Sequence, residues 1–108
     1  MIVIGEKING TRSLVKPIID NRDEAGLLEL ARSQAEAGAG FIDINVATGT
    51  GSRSDEAEAM AWAVRTVSQG LECAICIDSA DPLVLESGLE AKGDREVLIN
   101  SAKADDEL

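Results

Sequence analysis

Residues 74–82, AICIDSADP, run from small and β-branched apolar residues straight into Asp78 and Ser79. An unpaired carboxylate at the end of a buried strand is costly, so one placed there needs a structural partner or a ligand. A second apolar run, VLI at 97–99, leads in the same way to Asn100 and Ser101. Two earlier runs repeat the pattern: IVI at 2–4 is followed by Glu6, Lys7 and Asn9, and FIDINV at 41–46 carries Asp43 and Asn45. Nothing comparable stands at the beginnings of these runs. Polar side chains gathered at one end of several parallel strands are what a site at the carboxyl rim of a sheet looks like in sequence. Capping and turn chemistry account for Ser79, Asn9 and Asp43 without a ligand. Asp78 and Asn100 are different, because each directly follows an apolar run and neither stands where the next helix needs its cap.

A carboxylate and a carboxamide on neighbouring strands suit a flat heterocycle whose edge places an amino group beside a ring N–H. The carboxylate accepts two parallel N–H bonds, and such charge-assisted pairs are strong and orienting. The amide both donates and accepts, so it reads an adjacent ring nitrogen or carbonyl. A pterin is one such ring. A rival reading comes from GTGSRS at 49–54, which follows a strand and precedes a helix like the start of a phosphate-binding glycine loop. Its third glycine is replaced by Ser54, and no acidic residue is clearly placed about 20 positions on. A nucleotide-binding α/β module built on Gly49 and Gly51 is therefore the alternative.

The elements that must hold these residues follow from the hydrophobic spacing. Strands are expected at 2–4, 41–46, 73–77 and 97–99, each short, β-branched and without long polar alternation, as in a parallel sheet covered by helices. A helix is expected over 23–37, with apolar residues at 27, 28, 31 and 35 and Gly38 as its stop. A second is expected over 55–69, with Ser54 as N-cap, acidic residues in its first turn and Gly70 after it. A third is expected over 82–92, with Asp81 as cap, Pro82 in the first position and Gly93 as the stop. A short turn of helix around 13–19 is limited by Pro17. The order is parallel βαβαβαβ, an α/β chain resembling the first half of a TIM (βα)8 barrel, since complete barrels take about 250 residues. The 108 residues suffice for one domain spanning 1–108. A half-barrel leaves two open sheet edges, which favours a homo-oligomer or a non-catalytic assembly unit.

Composition narrows the partners. The formal net charge is −10, no basic tract occurs, and Phe41 and Trp62 are the only aromatic residues, which argues against nucleic acid and anionic membranes. The opening MIVI is broken at once by Gly5, Glu6 and Lys7, so it reads neither as a signal peptide nor as a spanning helix, and a cytoplasmic protein is expected. Cys73 and Cys76 form C-x-x-C, but inside a strand residues three apart point to opposite faces, so the two are expected to be core thiols with no metal between them. Trp62 is expected to be a packing residue. Arg12, Lys16 and Arg53 are basic residues able to attract an anionic tail, although solvated rim charge explains them as well.

The linked set IGEKING, DINV, IDSADPLVLESGLEAKG and LINSA resembles the pterin-binding methyltransferases, that is, methyltetrahydrofolate:corrinoid methyltransferases and the folate-binding module of cobalamin-dependent methionine synthase. The resemblance covers nearly the whole chain in order and spacing. It implies a βα barrel with a pterin at its carboxyl rim, Asp78 on the amino-pyrimidine edge and Asn100 on the same ring. Glu6, Asn9, Asp43, Asn45 and Ser101 line or support that pocket. The implied chemistry moves the N5 methyl of methyltetrahydrofolate to the cobalt of a corrinoid (cobalamin) protein, or the reverse. The group nearest N5 belongs in that family to later strands, so the resemblance names no catalytic residue here and implies an incomplete, inactive portion of a barrel. Lys7 stands where many relatives have Arg, and ATGTGSRSD lacks the Arg-Pro-Gly pattern of dihydropteroate synthases.

Overall fold

In chain order the elements are β1 (Ile4–Asn9), α1 (Lys16–Asp20), α2 (Glu24–Glu36), β2 (Phe41–Asn45), α3 (Arg53–Gly70), β3 (Ala74–Asp78), α4 (Pro82–Ala91) and β4 (Val97–Asn100). The computed structural model describes residues 4–9, 15–38, 40–47 and 51–100, with β1 given by its backbone.

The longer helices begin where a side chain satisfies backbone N–H groups that have no partner within the helix. Asp23 accepts from Gly26 N at 3.0 Å ahead of α2, and Asp81 accepts from Leu83 N at 2.9 Å ahead of α4. At α3 the cap is Ser52, not Ser54. Ser52 Oγ accepts from Asp55 N and Asp55 Oδ2 accepts from Ser52 N, both at 3.1 Å. Only Ser52 has an acid three residues on, so only there can the two residues cap one another. The stops after α2 and α4 use Gly38 and Gly93, both in the left-handed region at φ +96° and +63°. Gly70 instead remains helical as the last residue of α3. Arg95 takes the terminating role there, donating to the carbonyls of Ser68, Leu71 and Cys73.

The four strands are all parallel and lie in sequential order β1-β2-β3-β4. Ile42, Ile44, Ile75 and Ile77 are fully buried and pack with Leu27, Ala31, Met60, Val64, Val67 and Val84 from the helices. Sequential order with helices on one face is the topology of an arc of a βα barrel. A doubly wound nucleotide-binding sheet reverses strand order at a switch point, and this sheet has no reversal.

Of the strand expected at 2–4, positions 2 and 3 lie outside the described residues, and from Ile4 the strand runs on to Asn9. It pairs with β2 through Ile4–Phe41, Gly5–Ile42, Ile8–Ile44 and Asn9–Asn45, so three steps on β1 match two on β2. This β-bulge keeps Glu6 and Lys7 inside the strand, where an apolar-run reading had placed them after it. Gly5, with no side chain to pack, suits such a distortion. Asp78 and Asn100 likewise close their strands from within, because ladder pairing uses backbone groups and ignores the side chain.

Trp62 is a core residue, as expected, and the Arg22 guanidinium lies 5.6 Å from its ring centroid. The α4 backbone approaches the sheet through Gly88, where an added Cβ would lie 3.0 Å from Ile77 Cγ2 and 3.0 Å from Met60 Cγ. At the other extreme, adjacent residues of β4 are open to solvent: Leu98 is 43% exposed and Ile99 49%. No described helix is long and apolar enough to cross a membrane.

Candidate functional site

The strand residues that alternate with the buried isoleucines form the opposite face of the sheet. Register pairs Asn9 with Asn45 and Asp78 with Asn100. Asn45 and Asp78 are each one residue beyond the paired Ile44 and Ile77. The result is one cross-strand row at the carboxyl rim, with Asn9, Asn45, Asp78 and Asn100 in sequence across the sheet. One row deeper, Asp43 pairs with Cys76 and Cys76 with Leu98. Deeper still, Phe41 pairs with Ala74. Polarity thus falls from rim to floor, as at the mouth of a barrel.

Asn45, Asp78, Ser79, Asp81 and Asn100 line one cleft of about 490 Å³, with Glu56 from the first turn of α3 on its wall. That volume lies within the ordinary range for small-molecule sites. Asp78 makes no hydrogen bond or ion pair among the described residues, although its carboxylate is partly withdrawn from solvent. The loop that follows is tied down on both sides. Ser79 N donates to Asn100 O at 3.1 Å, and Ser79 Oγ accepts from Asp81 N at 3.0 Å. Local turn chemistry therefore accounts for Ser79, and partly for Asn45, whose Oδ1 accepts from Ala47 N at 3.0 Å. Asp43 is 9% exposed and faces the Cys76 thiol. Position 6 falls in the bulge of β1 and position 9 at its end. The side chains of Glu6 and Asn9, and Ser101 as a whole, lie outside the described residues, as do Gly49 and Arg12.

Two basic residues expected as handles for an anionic tail have carboxylate partners instead. Arg53 grips Asp81 with two hydrogen bonds of 2.7 Å, and Lys16 meets Asp20 at 2.6 Å one helical turn away. The Arg53 bond and its charge hold the Asp81 carboxyl down at about 2, despite an opposing desolvation effect, with the Leu83 N–H helping. The pair links the head of α3 to Asp81, the cap of α4, which also lines the cleft. The cleft lining given above contains three carboxylates and no basic side chain. Such a lining favours a ligand that presents N–H donors and disfavours a phosphate.

Sequence reasoning missed Glu56, the Arg53–Asp81 bridge and the placement of Cys76. Glu56 was legible as a first-turn residue of the helix after β2, since such turns lie at the carboxyl rim. Cys76 shares parity with Asp78, a signal that puts it on the cleft face. The two thiols lie on opposite faces of the sheet, as expected: Cys73, just before β3 and partly buried, packs against the helix-side core, whereas Cys76 is 2% exposed and buried on the cleft side.

The family model described as pterin binding enzyme matches residues 5–107. The chain belongs to the pterin-binding enzyme family. Among curated relatives of this pterin-binding family member, the methylcorrinoid:tetrahydrofolate methyltransferase of Eubacterium limosum is 44% identical over 87 residues. That alignment covers 81% of this chain and 31% of the relative, so the chain spans about a third of the relative's length. The matched region of the family model includes Asp43, Asn45, Asp78 and Asn100 of the rim and the row beneath it.

Proposed function

We propose that the cleft binds the pterin head of tetrahydrofolate or methyltetrahydrofolate and presents N5 for methyl exchange with a corrinoid carried by a partner protein. The observation that carries this reading is the Asp78 carboxylate, partly buried, without a bond among the described residues, and register-paired with Asn100 at the mouth of a cleft. Asp78 accepts the 2-amino group and the neighbouring ring N–H as a parallel pair. Asn100, across the ladder, meets the next polar atom of the same ring edge. Asn9 and Asn45 extend the row and Asp43 lies beneath it, with Glu6 and Ser101 proposed as further residues of the same pocket.

The corrinoid supplies the cobalt chemistry when its carrier docks. The chain's own part is to orient the pterin and keep N5 facing outward from the rim. Breaking the N5–methyl bond requires that N5 be protonated or strongly hydrogen-bonded as it leaves. None of the rim residues is assigned that role; it falls to further βα units that close the barrel. The relative's name has methylcorrinoid as methyl donor and tetrahydrofolate as acceptor, which supports transfer from corrinoid to tetrahydrofolate. Without further units, the open edge of β4, with Leu98 and Ile99 exposed, makes the chain self-associate. The setting is the cytoplasm, where folate and corrinoid carriers meet.

Calorimetric titration with methyltetrahydrofolate and, separately, with NAD tests the reading. Saturable binding of the first and none of the second is expected, given a cleft lined by carboxylates and a sheet without a switch point. Binding of NAD alone would overturn it in favour of the nucleotide module.

A further inference from the structure

The turn between β3 and α4 follows directly on Asp78, and a chain of hydrogen bonds runs along it. Ser79 N donates to Asn100 O at 3.1 Å, which carries the β3–β4 ladder one step past Asp78. Asp81 N donates to Ser79 Oγ at 3.0 Å, and Asp81 Oδ1 accepts from Leu83 N at 2.9 Å. These last two bonds each join residues two apart, so they shape the turn without fixing it to a neighbouring helix. Among the described residues, the turn's side-chain tie to α3 comes from Arg53. Its Nε and Nη2 donate to the two Asp81 carboxylate oxygens, each at 2.7 Å, across 28 positions of sequence.

Stability does not account for this bridge. The Arg53 side chain is 68% exposed, and an exposed pair contributes little to folding. α3 and α4 are already joined farther along, where Ser87 Oγ donates to Ala57 O at 2.7 Å and Gly88 lets the α4 backbone close on Ile77 and Met60. What a bidentate fork adds is fixed orientation. Asp78 makes no hydrogen bond or ion pair among the described residues, so its carboxylate is aimed by the backbone it leaves from. A displacement of about 1 Å in a positioned group is enough to cost function. We propose that Arg53 is a positioning residue of the pterin cleft, its grip on Asp81 locking the 79–81 turn against the head of α3 and so pre-setting the Asp78 carboxylate beside Asn100. This rests on the pterin-binding reading of the same cleft. Arg53 touches no reacting atom and acts through Asp81. Nor is it a handle for an anionic tail, since the Nε–Nη2 edge of the guanidinium is committed to a carboxylate of the chain itself.

The test compares two ligands by calorimetry: tetrahydrofolate, and 6-methyltetrahydropterin, which has the pterin head without the anionic tail. Both are titrated into the parent chain, Arg53→Ala, Arg53→Lys, Asp81→Asn and the Arg53→Ala/Asp81→Asn double variant, with thermal melts as the folding control. Arg53→Ala is expected to weaken both ligands by the same factor, roughly 5- to 10-fold, while the melt stays where it was. Arg53→Lys keeps the charge and loses the fork, so it is expected to remain at least about 3-fold weaker than the parent. The double variant is expected to be no weaker than Asp81→Asn. Amide hydrogen exchange in the ligand-free chain supplies an independent readout: the Ser79 N–H, bonded to Asn100 O, should exchange faster in Arg53→Ala. A loss confined to tetrahydrofolate would assign Arg53 to the tail and overturn the positioning role. Unchanged affinity in Arg53→Ala, full recovery in Arg53→Lys, additive losses in the double variant, or Ser79 exchange indifferent to Arg53→Ala would overturn it as well. Binding of neither ligand by the parent chain would overturn the pterin reading and this role with it.

Discussion

At the scale of single residues, the rim separates side chains occupied with local structure from one that is not. Ser79 and Asn45 accept hydrogen bonds from backbone two residues on, and Asp81 both caps α4 and holds Arg53. Asp78 has no such employment among the described residues. The Arg53–Asp81 pair is testable on its own. Because the folded-state carboxyl is held at about 2, below its ordinary value of 3.8, its contribution to stability is fully present above that ordinary value. The contribution is lost as pH falls through the folded value. The pair is exposed to solvent and salt, so the effect on stability is small. The direct measurement is an NMR titration of the Asp81 carboxyl. Arg53→Ala should return its midpoint toward the ordinary carboxylate value; a midpoint that stays near 2 would mean that the bidentate grip is not its cause.

At the scale of elements, α4 depends on one close approach. Gly88 faces Ile77 and Met60, both fully buried, so a larger side chain there must push helix from sheet. Gly88→Val should destabilise the fold by about 1–3 kcal/mol, as overpacked cores do, measured by chemical denaturation. A neutral result would show that α4 can shift without cost. Element type and order were legible because β-branched runs, caps and glycine stops agree with one another. Boundaries failed where two signals competed. Ser52 and Ser54 both look like caps, and only the reciprocal acid at Asp55 separates them. Glu6 and Lys7 look like a strand's end, yet the β1 backbone carries them through a bulge. The site was legible as a set of strand-end residues, because Asp78 and Asn100 follow apolar runs. The layer beneath was not: Cys76 reads as one more apolar residue until register sets it opposite Asp43. Arg53 reads as a solvated charge until the fold brings Asp81, 28 positions away, to its side.

At the scale of the whole molecule, a singly wound arc of four strands buries one sheet face under helices and turns the other toward a cleft. Its last strand exposes apolar side chains on both faces, a feature that isolated chains cover by association. Analytical sedimentation should show concentration-dependent association of the chain alone, and a Leu98→Lys/Ile99→Lys variant should be monomeric. A parent chain that sediments as a monomer at every concentration would contradict self-association through β4. The family match spans residues 5–107, and the chain covers about a third of the relative's length.

The central claim is that Asp78 reads the edge of a pterin, and tetrahydrofolate calorimetry on the parent chain and on Asp78→Asn tests it most directly. The substitution keeps the shape of the side chain and exchanges an acceptor pair for a mixed one. Affinity should fall roughly 10- to 100-fold, the loss expected for a charge-assisted pair, while the thermal melt stays where it was. Equal affinity in the two proteins would contradict the claim.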